Sequence, residues 1–392
     1  MFNLSDIHWL TSDAAEPWLA DAALEKNLVG LAKRLRKHLS SEQTHLVLEQ
    51  TQLRHRAREK FSHAAHMFFT RKGFEQSTDE TIARYKSQRF ALHSKVADLC
   101  CGIGGDTLGI AQIANVTAVD RCDATAFFAK TNCERLGLHN VEVQAQDIRE
   151  LDLSKFQAIH VDPDRRVLGK RTSQVQGGEP GLKTLCSLVE RYQNVAIKLS
   201  PTAVLPIDME RRGELEWIES RGECRQLVAW FGNLAYRPGS RQATMVVGDK
   251  IESFGVSEPT TPTLGQSPVI GKYLYEPRPS ILAADLTSSI ANAHELNAIA
   301  PGIPYLVSNQ RIDHPMLRGW MIHTWLPFDL RRLRAKLQDA NFMVLDVKKR
   351  GVDLSPRTIA RKLHGTGEKP ITLIVTRHEN RVIALITSRV TT

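Results

Sequence analysis

Through the first ninety or so residues the apolar positions recur at helical spacing. Between Ala22 and Phe69 the chain has no proline, and Leu46, Leu53, Ala57, Phe61, Ala64 and Phe68 keep close to a 3.6-residue period. Ser77-Thr-Asp-Glu80 has the form of a capping box and predicts a further helix through Ile82 and Tyr85 to Phe90. From about residue 95 the pattern changes. Short apolar runs at 95–100, 116–120, 141–146, 158–162 and 194–200 alternate with helical segments such as 107–113 and 123–136, which predicts a parallel α/β sheet. Two further strands, 225–231 and 242–247, flank a turn-rich stretch and predict a terminal hairpin. Pro259, Pro262 and Pro268 mark 251–268 as a linker or long surface connection. Beyond it, a helix at 281–296 and strands at 320–325, 343–348, 371–377 and 381–388 describe an α+β module. There Asp329 is placed to cap a helix whose Leu330, Leu333 and Leu337 face inward. The expected organisation is a helical extension (1–94), a Rossmann-like α/β domain (95–250), a linker (251–268) and an α+β domain (269–392).

Composition adds little to this picture, and charge adds more. The 392 residues are 42% hydrophobic and 24% charged, ordinary for a globular chain. A formal charge of +9 favours an acidic partner without identifying one. Residues 251–392 hold 18 Lys and Arg against 12 Asp and Glu, so most of the excess lies in the last module. It concentrates in Arg331, Arg332, Arg334 and Lys336 on the capped helix and in Lys348, Lys349 and Arg350 at a strand end. Such clusters suit phosphate contacts; the alternative is a solvated helix face beside a basic strand end. The six cysteines form no CxxC pair, which fits a reduced, cytoplasmic chain. His63 and His66 have no third ligand within sequence reach, so no metal is expected. The N-terminus lacks a secretory pattern and no apolar run approaches the ~20 residues that span a bilayer, so no membrane association is expected. The oligomeric state is left open.

Candidate chemistry concentrates in residues 96–111, VADLCCGIGGDTLGIA. A strand carrying Asp98 runs through Cys100 into Gly102, Gly104, Gly105 and Asp106, and a helix follows. Glycines let the backbone turn tightly and admit a ligand closely, and the helix start offers free N–H groups. A dinucleotide loop would place a third glycine where Thr107 stands, and a phosphate-binding Walker loop would need a lysine that is missing. An acid ahead of the glycines suits a cationic portion of a ligand, such as the amino group of a methionine moiety. Asp120, 22 positions after Asp98, ends the next strand where a carboxylate can accept both ribose hydroxyls. Asp147 follows the third strand, where it can accept from an adenine amino group. Alternatively, each acid is an N-cap or a solvated turn residue. Cys100 and Cys101 read as compact packing residues of the loop.

The fourth strand ends in Asp162-Pro-Asp-Arg-Arg166. Ligands of open α/β sheets sit at this end. Pro163 stiffens the turn while its carbonyl stays available as an acceptor. Asp162 and Asp164 can accept hydrogen bonds from an attacking amino group, and Arg165 or Arg166 can clamp a phosphate or pair with those acids. A purely structural Asp–Arg pairing at the rim is the alternative. Lys198 lies in the apolar Ala196-Ile-Lys-Leu, where an ammonium is costly unless paired; it either serves the site or snorkels to the edge.

These residues resemble those of bacterial class I S-adenosylmethionine-dependent methyltransferases with a C-terminal THUMP-like domain, a group related to trimethylguanosine synthase. The resemblance rests on Phe74-Glu-Gln-Ser-Thr78, Ile82-Ala-Arg-Tyr-Lys86, the loop 98–106, Asp162-Pro-Asp-Arg-Arg166, Tyr273-Leu-Tyr-Glu-Pro277 and Val347-Lys-Lys-Arg-Gly-Val-Asp353. It implies S-adenosylmethionine as cofactor, with Asp98, Gly102, Gly104, Asp120 and Asp147 at matching positions, and a segment around 75–80 folded over the cofactor. It also implies RNA as the partner of the C-terminal module. One departure stands out. Exocyclic-amine methylases of this group place Pro-Pro-aromatic after the acid, whereas Asp164, Arg165 and Arg166 follow Pro163, so guanine-amino methylation does not carry over. Tyr236 or Trp230 offers a substitute stacking surface, or simply packs. The leading expectation is an RNA methyltransferase using Asp162, Pro163, Asp164 and Lys198 in catalysis, with Arg165, Arg166, Arg331, Arg332, Lys348, Lys349 and Arg350 on the substrate. The alternatives are a methyltransferase of a metabolite or protein, and an inactive RNA-binding protein of this fold.

Overall fold

The computed structural model describes residues 4–25, 27–164, 166–167, 170–171, 178–257, 263–363 and 367–390. Six helices open the chain: α1 (Leu4–Thr11), α2 (Glu16–Leu24), α3 (Leu28–Leu35), α4 (Ser41–Ala57), α5 (Arg71–Gln76) and α6 (Glu80–Ser87). Then follow β1 (Lys95–Leu99), α7 (Gly105–Ile110), β2 (Asn115–Asp120), α8 (Asp123–Arg135), β3 (Val141–Ala145) and β4 (Ala158–Val161). A short antiparallel pair, β5 (Arg166–Val167) and β6 (Lys170–Arg171), precedes α9 (Leu182–Arg191), β7 (Val195–Leu199) and α10 (Ile207–Arg212). Four strands come next: β8 (Glu214–Ser220), β9 (Glu223–Trp230), β10 (Arg241–Val247) and β11 (Lys250–Val256). The last part comprises β12 (Tyr273–Pro277), α11 (Pro279–Ala283), α12 (Thr287–Ala293), β13 (Asn297–Ala298), β14 (Leu306–Ser308), β15 (Leu317–Pro327), α13 (Leu330–Asp339), β16 (Phe342–Lys349), α14 (Pro356–Lys362), β17 (Lys369–His378) and β18 (Arg381–Arg389). Two compact units result: 1–215 with 226–239 and 246–250, and 216–225 with 240–245 and 251–392.

The opening helices form because their apolar stripe has a partner. Ile7, Leu10, Leu31, Leu46, Leu53, Phe68 and Phe69 are buried together with Phe128 of α8 and Ile103 of the glycine loop. Each such side chain contributes ~1.5–3 kcal/mol on burial. Asn132 of α8 fixes the contact: its side chain accepts from the Phe68 N–H at 2.7 Å and donates to the carbonyls of Phe68 and Ile103, both at 3.1 Å. The expected capping residue of the last helix shifts by two. Asp79, not Ser77, accepts from the Ile82 N–H and starts α6, while Ser77 ends α5.

The first sheet runs in the order β11-β10-β8-β9-β7-β4-β1-β2-β3. Strands β1, β2, β3, β4 and β7 are parallel neighbours, with Asp98 directly beside His160 in the β1–β4 register, and β9 runs antiparallel to β7. The predicted hairpin between 225–231 and 242–247 is not formed, because β8 lies between those strands. β8 turns into β9 at Arg221 and Gly222, both at positive φ, and β10 into β11 at Gly248 (φ +59°). β8 was not predicted. It alternates glutamates with apolar residues, yet every position is buried. The acids survive burial because each is met: Glu214 by Arg89 at 2.6 Å, Glu216 by the Thr244 hydroxyl at 2.6 Å, Glu219 by the Ser280 N–H at 3.2 Å. Strand β11 likewise occupies the start of the segment expected to be a linker.

The second unit carries a seven-stranded sheet, β13-β14-β12-β15-β18-β17-β16. Leu333 and Leu337 of α13 and Ile359 of α14 pack on Leu373, Val375, Ala384 and Ile386 of one face. The other face buries Leu274, Tyr305, Trp320, Ile374, Ile383 and Leu385. Asp329 caps α13 as expected, accepting from the Arg332 N–H at 2.8 Å. The helix expected at 281–296 is broken into α11 and α12, with Asp285 between them at φ +56°.

Candidate active site at the carboxyl ends of the parallel strands

The carboxyl ends of β1 to β4 open onto a cavity of about 660 Å³, within the usual range for a small-molecule site. The glycine loop forms one wall. Cys100 (φ +58°), Gly102 (φ +59°) and Gly104 (φ +92°) put three positive-φ residues into five positions, and a Cβ on Gly102 would meet nothing within 4 Å. Gly102 thus presents bare backbone to the cavity, which Gly105 also lines, whereas Gly104 faces Ala129 and Thr107 and, contrary to expectation, does not line it. Two glycines also serve packing. A Cβ on Gly105 would sit 3.0 Å from the Thr78 carbonyl, and one on Gly109 only 2.6 Å from that of Ala83. α7 can therefore lie directly against α6 and the segment before it.

Asp120 ends β2 at the cavity. Its oxygens accept from the Gly102 and Cys122 N–H groups, both at 3.0 Å, and burial pushes its carboxyl up despite those bonds. Asp147 also lines the cavity beside Ile148, and the side chain of Arg149 holds its carboxyl down at about 2. Bare loop, buried acid, second acid and an aliphatic neighbour fit a nucleoside with vicinal hydroxyls. Burial drives the thiols of Cys100 and Cys101 well above their ordinary values, consistent with packing roles.

Asp98 departs from expectation. It is fully buried and does not line the cavity: one oxygen meets His160 Nδ1 at 2.7 Å and the other accepts from the Thr107 hydroxyl. The acid exposed to the cavity at this loop is Asp106. It pairs with Lys86 at 2.6 Å, accepts from the Thr78 hydroxyl at 2.6 Å, and lies 3.7 Å from Lys198. Burial raises its carboxyl, but the ammonium groups of Lys86 and Lys198 overcome this and hold it far below the usual range. Lys86 is pushed down by burial against the pull of Asp106. Sequence reasoning flagged Lys198 as an ammonium in an apolar strand but passed over His160, which carries the same signal in Ala158-Ile-His-Val161. Lys86 was named only as part of a motif.

Lys198 does not reach the cavity surface; it stands behind Asp162 and pairs with it at 2.5 Å. Asp162, Pro163 and Asp164 all line the cavity. Asp164 is held by Lys72 at 2.5 Å and by the Gln76 amide at 2.9 Å. The strap carrying these residues, including α5, is anchored by Lys60, which donates to the carbonyls of Phe74 (2.6 Å) and Ser77 (2.9 Å). Arg165 lies outside the described residues; Arg166 is described only as backbone of β5. Trp230 is buried beside Phe90 and offers no stacking surface. Tyr236 is exposed, with the Arg89 guanidinium 3.9 Å from its ring centre.

In the second unit the two basic clusters differ. Arg331, Arg332, Arg334 and Lys336 are exposed on α13, opposite its buried leucines. Lys348 and Arg350, in contrast, converge on the buried Glu276 at 2.9 and 3.1 Å, and Lys348 lies over the Trp320 ring. The expectation that both meet phosphate does not fit this pairing. The motif Tyr273-Leu-Tyr-Glu-Pro277 that supplies Glu276 held the clue. Lys349 stays exposed.

Among the described residues no helix is long and apolar enough to cross a membrane, and no group of three His, Cys, Asp or Glu side chains could hold a metal. A family model described as a methyltransferase domain matches residues 96–164, and one described as THUMP domain-like matches 317–389. An uncharacterised S-adenosylmethionine-dependent methyltransferase of Mycobacterium tuberculosis, found alike in two strains, is 30% identical over 356 residues, covering 84% of this chain and 92% of its own. The crystal structure of a proposed methyltransferase from Porphyromonas gingivalis W83 is 21% identical, covers all of both chains and superposes with a TM-score of 0.79, a likeness of fold. With the glycine loop, the acids at successive strand ends and this full-length kinship, the chain belongs to the S-adenosylmethionine-dependent methyltransferases.

Proposed function

We propose that this enzyme methylates RNA, with the α+β module binding the polynucleotide and Asp162 receiving the acceptor group. The observation that carries the reading is the THUMP-like match over 317–389, which contains the exposed basic face of α13. Four cations on one helix face, with leucines buried opposite, provide phosphate affinity without base readout.

The cofactor supplies a methyl group on a positively charged sulfur. Asp120 and Asp147 would hold its ribose and base, and the bare backbone of Gly102 would let it lie close. Asp162 accepts a hydrogen bond from the attacking N–H or O–H, and the Pro163 carbonyl offers a second acceptor on a stiff turn. Transfer would break the methyl–sulfur bond as the methyl–acceptor bond forms, leaving the cofactor as a neutral thioether, and Asp162 would receive the acceptor's proton and pass it to solvent. Lys198 keeps that carboxylate aimed. Methyl transfer of this kind depends mainly on positioning, and Asp164, tied to Lys72 and Gln76, holds the strap over the reacting groups.

The test uses purified protein, radiolabelled methyl donor and total RNA from cells lacking the gene. Label that resists removal until ribonuclease is added, and that vanishes in Asp162→Ala, is the expected result. If no RNA is labelled while S-adenosylhomocysteine still binds, the RNA reading is wrong and a metabolite or protein acceptor takes its place.

A further inference from the structure

We infer that Lys86 is a positioning residue for the reaction: by occupying Asp106, the rival carboxylate, it decides that the Lys198 ammonium is held on Asp162. Neither family membership nor the acceptor reading assigns it a role.

Six ionisable side chains from five elements meet beneath the cavity: Lys86 of α6, Asp98 of β1, Asp106 of α7, His160 and Asp162 at β4, and Lys198 of β7. Two ammonium groups compete for one buried carboxylate. Lys86 lies 2.6 Å from Asp106 Oδ1, while Lys198 stands 3.7 Å from Asp106 Oδ2 and 2.5 Å from Asp162. Lys86 is itself held in place from the far side. His160 Nδ1 faces an Asp98 oxygen at 2.7 Å and so donates there, which leaves the Nε2 lone pair toward Lys86 Nζ at 3.4 Å. The Thr78 hydroxyl occupies Asp106 Oδ2 at 2.6 Å. Each Asp106 oxygen thus faces a nearer group than Lys198, Oδ1 the Lys86 ammonium and Oδ2 the Thr78 hydroxyl, and Lys198 turns to Asp162 and to the Gln76 carbonyl at 3.2 Å. Asp162 is the more exposed of the two acids, at 23% against 7%. Without Lys86, the deeper Asp106 would be the stronger electrostatic partner, because opposite charges attract more where water is excluded. A shift of the flexible lysine stem across that gap would then leave Asp162 unpaired. Lys86 and His160 do not line the cavity, so their influence passes through Asp106 and Lys198.

The inference rests on Asp162 serving the acceptor, but its test needs no acceptor. Full-length protein labelled with 13C at the aspartate carboxyls is titrated by NMR, the Asp162 signal being identified by its loss in Asp162→Asn. Removing the competing cation in Lys86→Met should raise the pH midpoint of Asp162 by about one unit relative to the native protein, as Lys198 moves off. Asp106→Asn should lower it, since Lys198 then has no rival carboxylate. Deleting either charge also shifts Asp162 directly, so the placement of Lys198 is read from a double-variant cycle: Lys198→Met should raise the Asp162 midpoint in the native background and add little in the Lys86→Met background, where Lys198 has already moved off, and an equal rise in both backgrounds overturns the inference. Calorimetric binding of S-adenosylhomocysteine reports whether the pocket is intact. If Lys86→Met does not fold, Asp106→Asn and the charge-balanced double variant carry the test, and both should titrate below native. Midpoints that do not move, or that move together, overturn the inference and leave the placement of Asp162 at the acceptor standing.

Discussion

Both units of this protein bury a carboxylate among several cations, yet the two clusters differ in kind. Around Asp106 the lysines are almost as buried as the acid, with Lys86 at 2% and Lys198 at 5% exposure. Around Glu276 the acid is buried but its cations reach outward, Lys348 at 27% and Arg350 at 45%. Water can therefore solvate what Glu276 leaves behind if it is removed, and cannot do so for Asp106. The same charge types thus make a rigid, expensive device in one unit and a replaceable brace in the other.

The comparison can be broken directly. Asp106→Ala strands Lys86 beneath the sheet and should cost about 3–5 kcal/mol in urea denaturation. Glu276→Ala should cost about 1–2 kcal/mol, because Lys348 and Arg350 can turn to solvent. Equal losses would erase the distinction. A Cβ at Gly109 must push α6 away from α7, so Gly109→Ala should destabilise by about 1–3 kcal/mol and weaken S-adenosylhomocysteine binding with it. Asp120→Ala should leave stability nearly unchanged and weaken that ligand about tenfold, or about 1.4 kcal/mol, by calorimetry. The smallest stability effect belongs to Arg331→Glu with Arg332→Glu, within about 0.5 kcal/mol. Binding to RNA should nevertheless fall and its log–log salt slope should flatten by about two.

The pH response sharpens the contrast. A carboxyl held low in the folded state stabilises the protein above its unfolded value, near pH 3.9, and that contribution fades as pH falls toward the folded value. Asp106 lies far below the usual range, so its contribution should persist well into acid. In Lys86→Met, where burial is no longer opposed by that ammonium, the loss should begin at higher pH in a denaturation series.

How much of this could be read in the sequence follows from what each signal depends on. The parallel core was legible because β1, β2, β3, β4 and β7 are apolar runs between helices, and their bounds fall within a residue or so of expectation. The glycine loop and Asp120 were legible because tight turns and strand-end acids have fixed spacing. β8 was not, because Glu214-Leu-Glu-Trp-Ile-Glu looks solvated until Arg89, Thr244 and Ser280 are brought to it. Asp98 was given the ligand because its partner His160 lies 62 positions away. Lys348 and Arg350 counted toward a phosphate patch because Glu276 lies more than seventy positions earlier. Local rules pointed to the strand-end cavity; distant pairings decide which acids and cations face into it.

The close seating of α7 against α6 at Gly109, and against Thr78 at Gly105, bears on where the enzyme can be cut. A fragment beginning at Lys95 would retain the whole parallel sheet, the glycine loop and Asp162, and by strand count would look complete. It would lack Lys86, the roof supplied by Thr78 and the apolar seal formed by Phe68 on Phe128. Asp106 would face solvent through the gap, and Lys198 would choose between two carboxylates. The helical extension is thus not an appendage to a self-sufficient catalytic core, and minimal versions of this enzyme must begin upstream of it.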